Sequence, residues 1–464
     1  MPDKIFQTDW LASSPVFYNE KTSRASKNIN DVIDWDDIRI HPEGFNNYLE
    51  FGYSVFGQTP LENIKFLPHS TRLTISDDGG MKIEKLPDAA EKFIDAETSE
   101  EEVLSLISKA VNDWERNVSG EIIIPTSGGL DSRLLNCLVK DKSKIRSFTY
   151  GTSANQSLSF ETVNAGLLAE RLGTKWQRIE LENFFDYLGE WDKLFGPSVH
   201  AHGMYQMEFY DKIRRLTGNG SAVLSGIIGD AWAGSVNIGP IDSPADLKAL
   251  GYSHGMNADA SASLLESTNG LKEEYFKINA GKLKNEKWRV IEAMRFKITL
   301  LSYLFRVPEH YGFKPWSPFL ECEIALKMLA LPEASKKNRY WQRSYFDRTG
   351  VNFEKNIFKD RKNVLNLEML RKSDLASIDK KVFAGLIKEE YVGWVNSTIA
   401  NARKNLRRKN FFSWPLSLLY FLPKIHILIA NSGIDPYTLK NEENWALCAY
   451  QTLKPLENVL FKRK

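Results

Sequence analysis

Pro125, Thr126, Ser127, Gly128, Gly129, Leu130, Asp131, Ser132 and Arg133 directly follow three consecutive isoleucines at 122–124. Two adjacent glycines let a backbone turn tightly enough for successive N–H groups to converge on an anion. The hydroxyls of Ser127 and Ser132 add donors, and a helix starting here would add the positive end of its dipole. Asp131 is a poor neighbour for a bare polyphosphate. A Mg²⁺ ion between the two removes the conflict, because that hard cation takes carboxylate and phosphate oxygens together. No G-x-x-x-x-G-K-[ST] is present, so this is not the common P-loop. S-G-G also occurs in ordinary turns. Its place between a buried strand and a helix gives it weight.

The elements that must hold this loop are readable around it. Three isoleucines in a row are the mark of a strand buried on both faces. Val103, Leu104, Leu106, Ile107 and Val111 recur at helical spacing and predict an amphipathic helix over 99–115. Further strands are predicted at 145–150, 176–181 and 222–225. Helices are predicted around 134–139 and over 160–172, the latter ended by Gly173. This alternation predicts an α/β fold with a doubly wound parallel sheet, whose ligands bind at the carboxyl ends of the strands. Informative residues should therefore follow 124, 150 and 224.

Residues 43–86 read differently, as short strands and turns. An aromatic-rich stretch passes through Tyr48, Phe51 and Tyr53, and a hairpin pairs 72–76 with 81–86 about Asp77–Gly80. Beyond 285 the pattern is mostly helical, with helices expected at 288–305, 320–331, 365–373 and 377–399. The expected organisation is a small, mainly β domain over 1–92, a nucleotide domain over 93–350 and a helical continuation over 351–464.

Composition narrows the classes. The chain has 464 residues, 42% hydrophobic and 26% charged, with a net charge of +2. That balance gives no basic field for nucleic acid. Twelve tryptophans argue against disorder, and three scattered cysteines suit a reducing compartment, with no disulfide scaffold and no Cys-rich zinc module. Met1–Asn19 lacks the pattern of a signal peptide, so a cytoplasmic location is expected. The basic run at 403–409 precedes an apolar stretch broken by Pro415 and Pro423. Residues 401–430 could rest on an anionic membrane surface, although a solvated helix end before buried helices is the simpler expectation. His200 and His202, two residues apart with no C-x-x-C or H-E-x-x-H beside them, make a poor metal pair.

Taken together, these segments resemble the synthetase domain of the asparagine synthetase family, within the N-type ATP pyrophosphatases. Four motifs carry the resemblance, in order. They are S-G-G-x-D-S at 127–132, Ser147–Gly151 closing the second strand, S-G-x-x-x-D-x-x-x-G at 225–234, and Gly312 through Pro318-Phe319-Leu320-Glu321. The resemblance covers roughly residues 43–350. It implies an adenine nucleotide alpha hydrolase-like sheet that binds ATP and Mg²⁺. It also implies phosphate contacts from Thr126, Ser127, Gly128, Gly129, Asp131, Ser132, Ser225 and Gly226. Tyr150 and Gly151 would line the adenosine, and Asp131 and Asp230 would hold the metal. The implied activity is an amide ligase that activates a carboxylate as an acyl-adenylate, releases pyrophosphate, and transfers the acyl group to ammonia or an amine.

The chain also departs from the family. Two commonly acidic positions are Ile227 and Ala231, and an expected acid and arginine are Lys314 and Trp316. Free aspartate is therefore not the expected acceptor; a small-molecule, glycan or peptide carboxylate is. The family's charge-stabilising lysine has no clean counterpart in KKNRYWQRSYF. Arg339 is the first candidate and Arg343 the second, against the alternative of an exposed basic helix surface. Glutamine-dependent members begin with a cysteine after the initiator Met, where this chain has Pro2. Residues 43–86 look like the second half of that glutaminase domain, which makes 1–92 a remnant without its nucleophile. The rival expectation is a catalytically degenerate nucleotide-binding or scaffold protein.

Overall fold

The computed structural model describes residues 3–251, 256–353, 359–412 and 438–463. Strands β1 (Lys4–Gln7), β2 (Phe17–Asn19), β3 (Arg24–Ser26), β4 (Ile64–Phe66), β5 (Thr71–Ile75) and β6 (Met81–Lys85) make two small antiparallel sheets, ordered β1-β5-β6 and β3-β2-β4. The hairpin expected around Asp77–Gly80 is the β5–β6 pair, with Ile75 opposite Met81 and Thr71 opposite Lys85. The aromatic stretch before it is not extended, contrary to expectation. Pro42–Phe51 is an α-helix, with Pro42 in its first turn and the His41 ring accepting from the Gly44 N–H at 3.0 Å. Phe45, Tyr48 and Leu49 lie at helical spacing and are fully buried. Tyr48 Oη donates to the Thr452 carbonyl at 3.2 Å, tying this helix to Asn441–Leu460 near the other end of the chain.

Strands β7 (Ile122–Pro125), β8 (Ile145–Thr149), β9 (Lys175–Arg178), β10 (Ala222–Leu224) and β11 (Lys314–Trp316) form a five-stranded parallel sheet in the order β11-β10-β7-β8-β9. Chain order runs outward from β7 in one direction and outward from β10 in the other. The reversal lies between these two neighbours, which is where open α/β sheets bind ligands. β11 had no signal in the sequence. It is three residues long and contains Pro315, which lacks an N–H and is tolerated because β11 is an edge strand. Trp316 stacks on Trp114 with ring centres 5.2 Å apart.

Helices flank the sheet in sequence: Glu100–Arg116, capped by Ser99, then Leu130–Leu138, and Phe160–Leu172, which ends on left-handed Gly173. The long helix expected at 288–305 is two, Glu286–Leu301 and Tyr303–His310, broken at Ser302. Of the helix expected at 377–399, residues 377–388 are turns and irregular chain, and the helix is Glu389–Phe412. Ile122, Ile123 and Ile124 are fully buried in one core that also takes in Trp10 and Phe45 from the N-terminal region and Leu453 from the C-terminal helix. Among the described residues no helix is long and apolar enough to cross a membrane. Most of the 401–430 segment lies outside the described residues.

Candidate active site

The loop after β7 begins as an extension of the ladder, with Thr126 N–H on the Phe148 carbonyl at 2.8 Å. It then turns into the helix Leu130–Leu138 through Gly128 at φ +69°. A Cβ at Gly128 would lie 2.7 Å from Asn164 Cβ, so the turn needs glycine for both conformation and space. The hydroxyl of Ser132 accepts from the Ser127 N–H at 3.3 Å, and that of Ser127 accepts from the Gly129 N–H at 3.3 Å. Two buried side chains hold the loop from behind. Arg133 donates to the Gly128 carbonyl at 2.9 Å, its guanidinium over the Phe346 ring. Asn136 donates to Thr126 Oγ1 at 3.0 Å and accepts from Ser147 Oγ at 2.9 Å, linking the loop to β8.

The second loop, Ser225–Gly234, leaves β10 beside it, with Ser225 N–H on the Trp316 carbonyl at 2.8 Å. Gly229 allows close approach: a Cβ there would lie 2.8 Å from the Phe319 ring and 2.9 Å from Asp131 Cγ. Just before it, Ile228 sits at φ +52°. For a β-branched residue this costs about 1–2 kcal/mol and persists only where the surroundings over-determine it. Asn338 and Arg339 take the same left-handed conformation, at φ +52° and +56°. Backbone strain therefore gathers on both segments that face Asp131.

The carboxyl ends of β7, β8 and β10 open into a cleft of about 440 Å³. Of the residues singled out in the sequence, Thr126, Ser127, Gly129, Asp131, Ser132, Tyr150, Ser225, Gly226, Asp230 and Arg339 line it. Gly128, behind the loop, does not. Gly151 instead packs on the Gln156 backbone, where a Cβ would meet the carbonyl oxygen at 2.4 Å. Arg343 points elsewhere, with Nε donating to the Asn338 carbonyl at 2.9 Å.

Electrostatically, the site centres on Asp131, whose side chain is 13% exposed. Arg339 Nη2 donates to Asp131 Oδ1, and Gln342 Nε2 donates to the same oxygen at 3.1 Å. Gln342 also accepts from Arg339 Nε at 2.7 Å, closing a three-membered cluster. Burial, reinforced by the nearby charge of Asp230, still raises the Asp131 carboxyl to about 6, against the pull of Arg339. Asp230 stands at the solvent-exposed mouth. Two carboxylates crowded in this way fit a divalent cation shared with phosphate oxygens, which is how Mg²⁺ is commonly held. No cluster of three or more His, Cys, Asp or Glu able to hold a metal occurs among the described residues. A metal here would need ligand oxygens in addition to the protein's. His200 and His202 are held neutral by burial, at about 3 and about 4.

Sequence reasoning missed several residues of this cleft. Glu161, Gln206, Phe209, Tyr210 and Leu304 line it from helices that carry no recognisable local motif. Gln206 donates to Tyr150 Oη at 2.9 Å, and Phe209 meets the Tyr150 ring edge-on at 5.0 Å. The cleft's lining thus includes an edge-to-face aromatic cluster of Tyr150, Phe209 and Tyr210. Lys297 does not line the cleft but feels the charge of Asp230. Burial pushes its ammonium below the usual lysine range while Asp230 pulls it back up. No protein-family model matches this chain, and no curated protein matches it.

Proposed function

We propose that this protein is an ATP- and Mg²⁺-dependent carbon–nitrogen ligase of asparagine-synthetase type, with an adenine nucleotide alpha hydrolase-like sheet carrying its site. The observation behind it is the convergence of Asp131, Asp230 and the first turn of Leu130–Leu138 on one cleft, at the point where strand order reverses. ATP would activate the acceptor carboxylate as an acyl-adenylate with release of pyrophosphate, ammonia or an amine would displace AMP with loss of a proton, and Mg²⁺ would neutralise the leaving group. The N–H groups and hydroxyls of 127–132 are the donors for phosphate oxygens, and Asp131 and Asp230 are the metal carboxylates. Arg339 supplies positive charge beside them through its contact with Asp131. Tyr150, Phe209 and Tyr210 would give the adenine ring aromatic surface to pack on. Ile227, 7% exposed in the loop, leaves no acid there to pair with the ammonium of a free amino acid. A small-molecule, glycan or peptide carboxylate is accordingly favoured over aspartate.

The test is carboxylate-dependent ATP–pyrophosphate exchange over a panel of sugar acids, peptides and aspartate. The expected result is exchange with one of the non-aspartate acids, abolished by Asp131→Ala. Exchange with none, wild type and variant being equally inactive, overturns the proposal. Tight ATP binding without turnover, together with a stable protein partner, would support a nucleotide-binding scaffold instead.

A further inference from the structure

A second cavity, of about 510 Å³, lies between the β5–β6 hairpin and the helices Gly270–Leu283 and Glu286–Leu301. It shares no lining residue with the Asp131 cleft. One wall is aromatic and rigid: Phe56, Tyr275 and Phe296 meet edge to face, with ring centres 5.0–5.9 Å apart. At the rim two large aliphatic side chains remain in water, Ile278 at 63% exposure and Ile83 at 47%. Isolated exposed aliphatics are ordinary, but two facing one concave apolar chamber mark a place where burial is still to be gained.

The polar floor decides what could fill it. Arg295 and Glu292 reach the cavity, and both are almost wholly buried. Arg295 donates to Glu292 at 2.9 Å, to Asp88 at 2.7 Å and to the Trp10 carbonyl at 2.9 Å. Tyr275 Oη donates to the second Glu292 oxygen at 2.8 Å, and Lys282 pairs with the second Asp88 oxygen at 3.2 Å. Arg295 is thus committed to Glu292 and Asp88, and Lys282 to Asp88 and, at 3.1 Å, to Glu91, so both buried acids are paired. His69, which also lines the cavity, is held neutral by burial and by the Arg295 charge. At this floor a charged ligand would lose its hydration and gain no partner, and the two exposed charges that also line the cavity, Lys85 and Glu274, are of opposite sign and favour neither charge. An uncharged apolar one would bury surface against the aromatic wall, in a volume ordinary for small-molecule sites.

We infer that this cavity is a binding site for an uncharged, largely apolar small molecule, separate from the Asp131 cleft. The concave, walled shape fits such a molecule better than it fits the broad face of another protein.

The test titrates the full chain with N-phenyl-1-naphthylamine, a neutral fluorophore that brightens in apolar surroundings, and with 1-anilinonaphthalene-8-sulfonate, its anionic relative. Expected is saturable one-to-one binding of the neutral probe, with the anion at least about tenfold weaker. Ile278→Asp and Ile83→Asp alter exposed side chains, so the fold is retained, as circular dichroism would verify. Each should weaken the neutral probe about tenfold or more, while Leu216→Asp, a change at another exposed leucine, leaves it unaltered. The inference is overturned by absence of saturable binding, by equal affinity for the two probes, or by rim variants that bind like wild type. It is also overturned if sedimentation velocity finds wild type self-associated and Ile278→Asp monomeric, since the rim would then be a contact between copies of the chain.

Discussion

Arg339 closes onto Asp131 across 208 residues of chain, and Gln342, one helical turn further on, holds both partners. The pair puts a fixed cation on the carboxylate that a metal ion would also seek. Arg339 reaches it from a left-handed backbone, straight after a second left-handed residue, Asn338. The contact is made at some backbone cost, which points to a site built for positive charge rather than a chance surface pairing.

Removing that guanidinium should expose a competition. In Arg339→Ala, Asp131 loses its cation and its carboxyl rises further. Mg²⁺ at millimolar concentration, without nucleotide, should then raise the melting temperature of the variant more than that of wild type. Pyrophosphate exchange should fall about a hundredfold or more, with partial recovery in Arg339→Lys. Equal Mg²⁺ shifts in both proteins would show that arginine and metal do not share Asp131.

Gly229→Ala tests the approach of the two loops. The added Cβ meets the fully buried Phe319 ring and Asp131 Cγ, both under 3 Å away. The expected cost is about 1–3 kcal/mol of stability, from forced repacking. Calorimetric titration with Mg²⁺–ATP should show weakened binding in a protein whose urea midpoint remains measurable. Unchanged affinity would mean that Asp131 and Asp230 need not be drawn together by this loop.

Arg295 is a separate, structural prediction. Arg295→Ala strands the Glu292 carboxylate, whose side chain is 2% exposed, and takes from Asp88 one of its two cations. Urea unfolding should register a loss of about 3–5 kcal/mol. The double variant Arg295→Met with Glu292→Met leaves Asp88 paired to Lys282 and should recover at least half of it. If the single and double variants are equally unstable, the loss comes from packing rather than from the stranded charge.

The buried imidazole of His200 should appear in the pH dependence of stability. Burial, with the neighbouring His202 charge, holds His200 at about 3, while the unfolded chain takes up its proton near 6.5. Between those values the unfolded state binds a proton that the native state refuses, so this residue makes stability fall as pH falls. Its contribution is about 1.4 kcal/mol per pH unit. Asp131 and Asp192, raised by burial to about 6 and about 7, act in the opposite sense. The telling quantity is therefore the difference between wild type and His200→Gln. Over pH 4.5–6 the wild-type slope should be more positive by about 1 kcal/mol per unit. Identical slopes would show that His200 is protonated normally in the fold.

Local pattern alone determined much of this protein. Ile122–Ile124 carries the mark of a strand buried on both faces, and the adjacent glycines after it mark a tight turn. Phe160–Leu172 carried its own stop in Gly173. These features are legible because they depend on propensity and periodicity within a few residues. The helix Pro42–Phe51 was misread because its aromatic residues also suit strands. Its choice is made by burial of Phe45, Tyr48 and Leu49 in a core that also takes in Leu453 from the C-terminal helix some 400 residues away. β11 was invisible because three residues with a central proline form a strand only when β10 presents an open edge.

The candidate site divides in the same way. The first polar loop and Asp131 announce themselves in sequence, because tight turns and hydroxyl clusters are local, whereas Asp230 is picked out only through the resemblance. Selection of Arg339 over Arg343, the aromatic cluster of Tyr150, Phe209 and Tyr210, and the clamp of Arg133 on Gly128 were decided only by tertiary structure. Each depends on which side chain a distant helix turns toward the cleft, and burial and hydrogen bonding settle that after the chain has closed on itself.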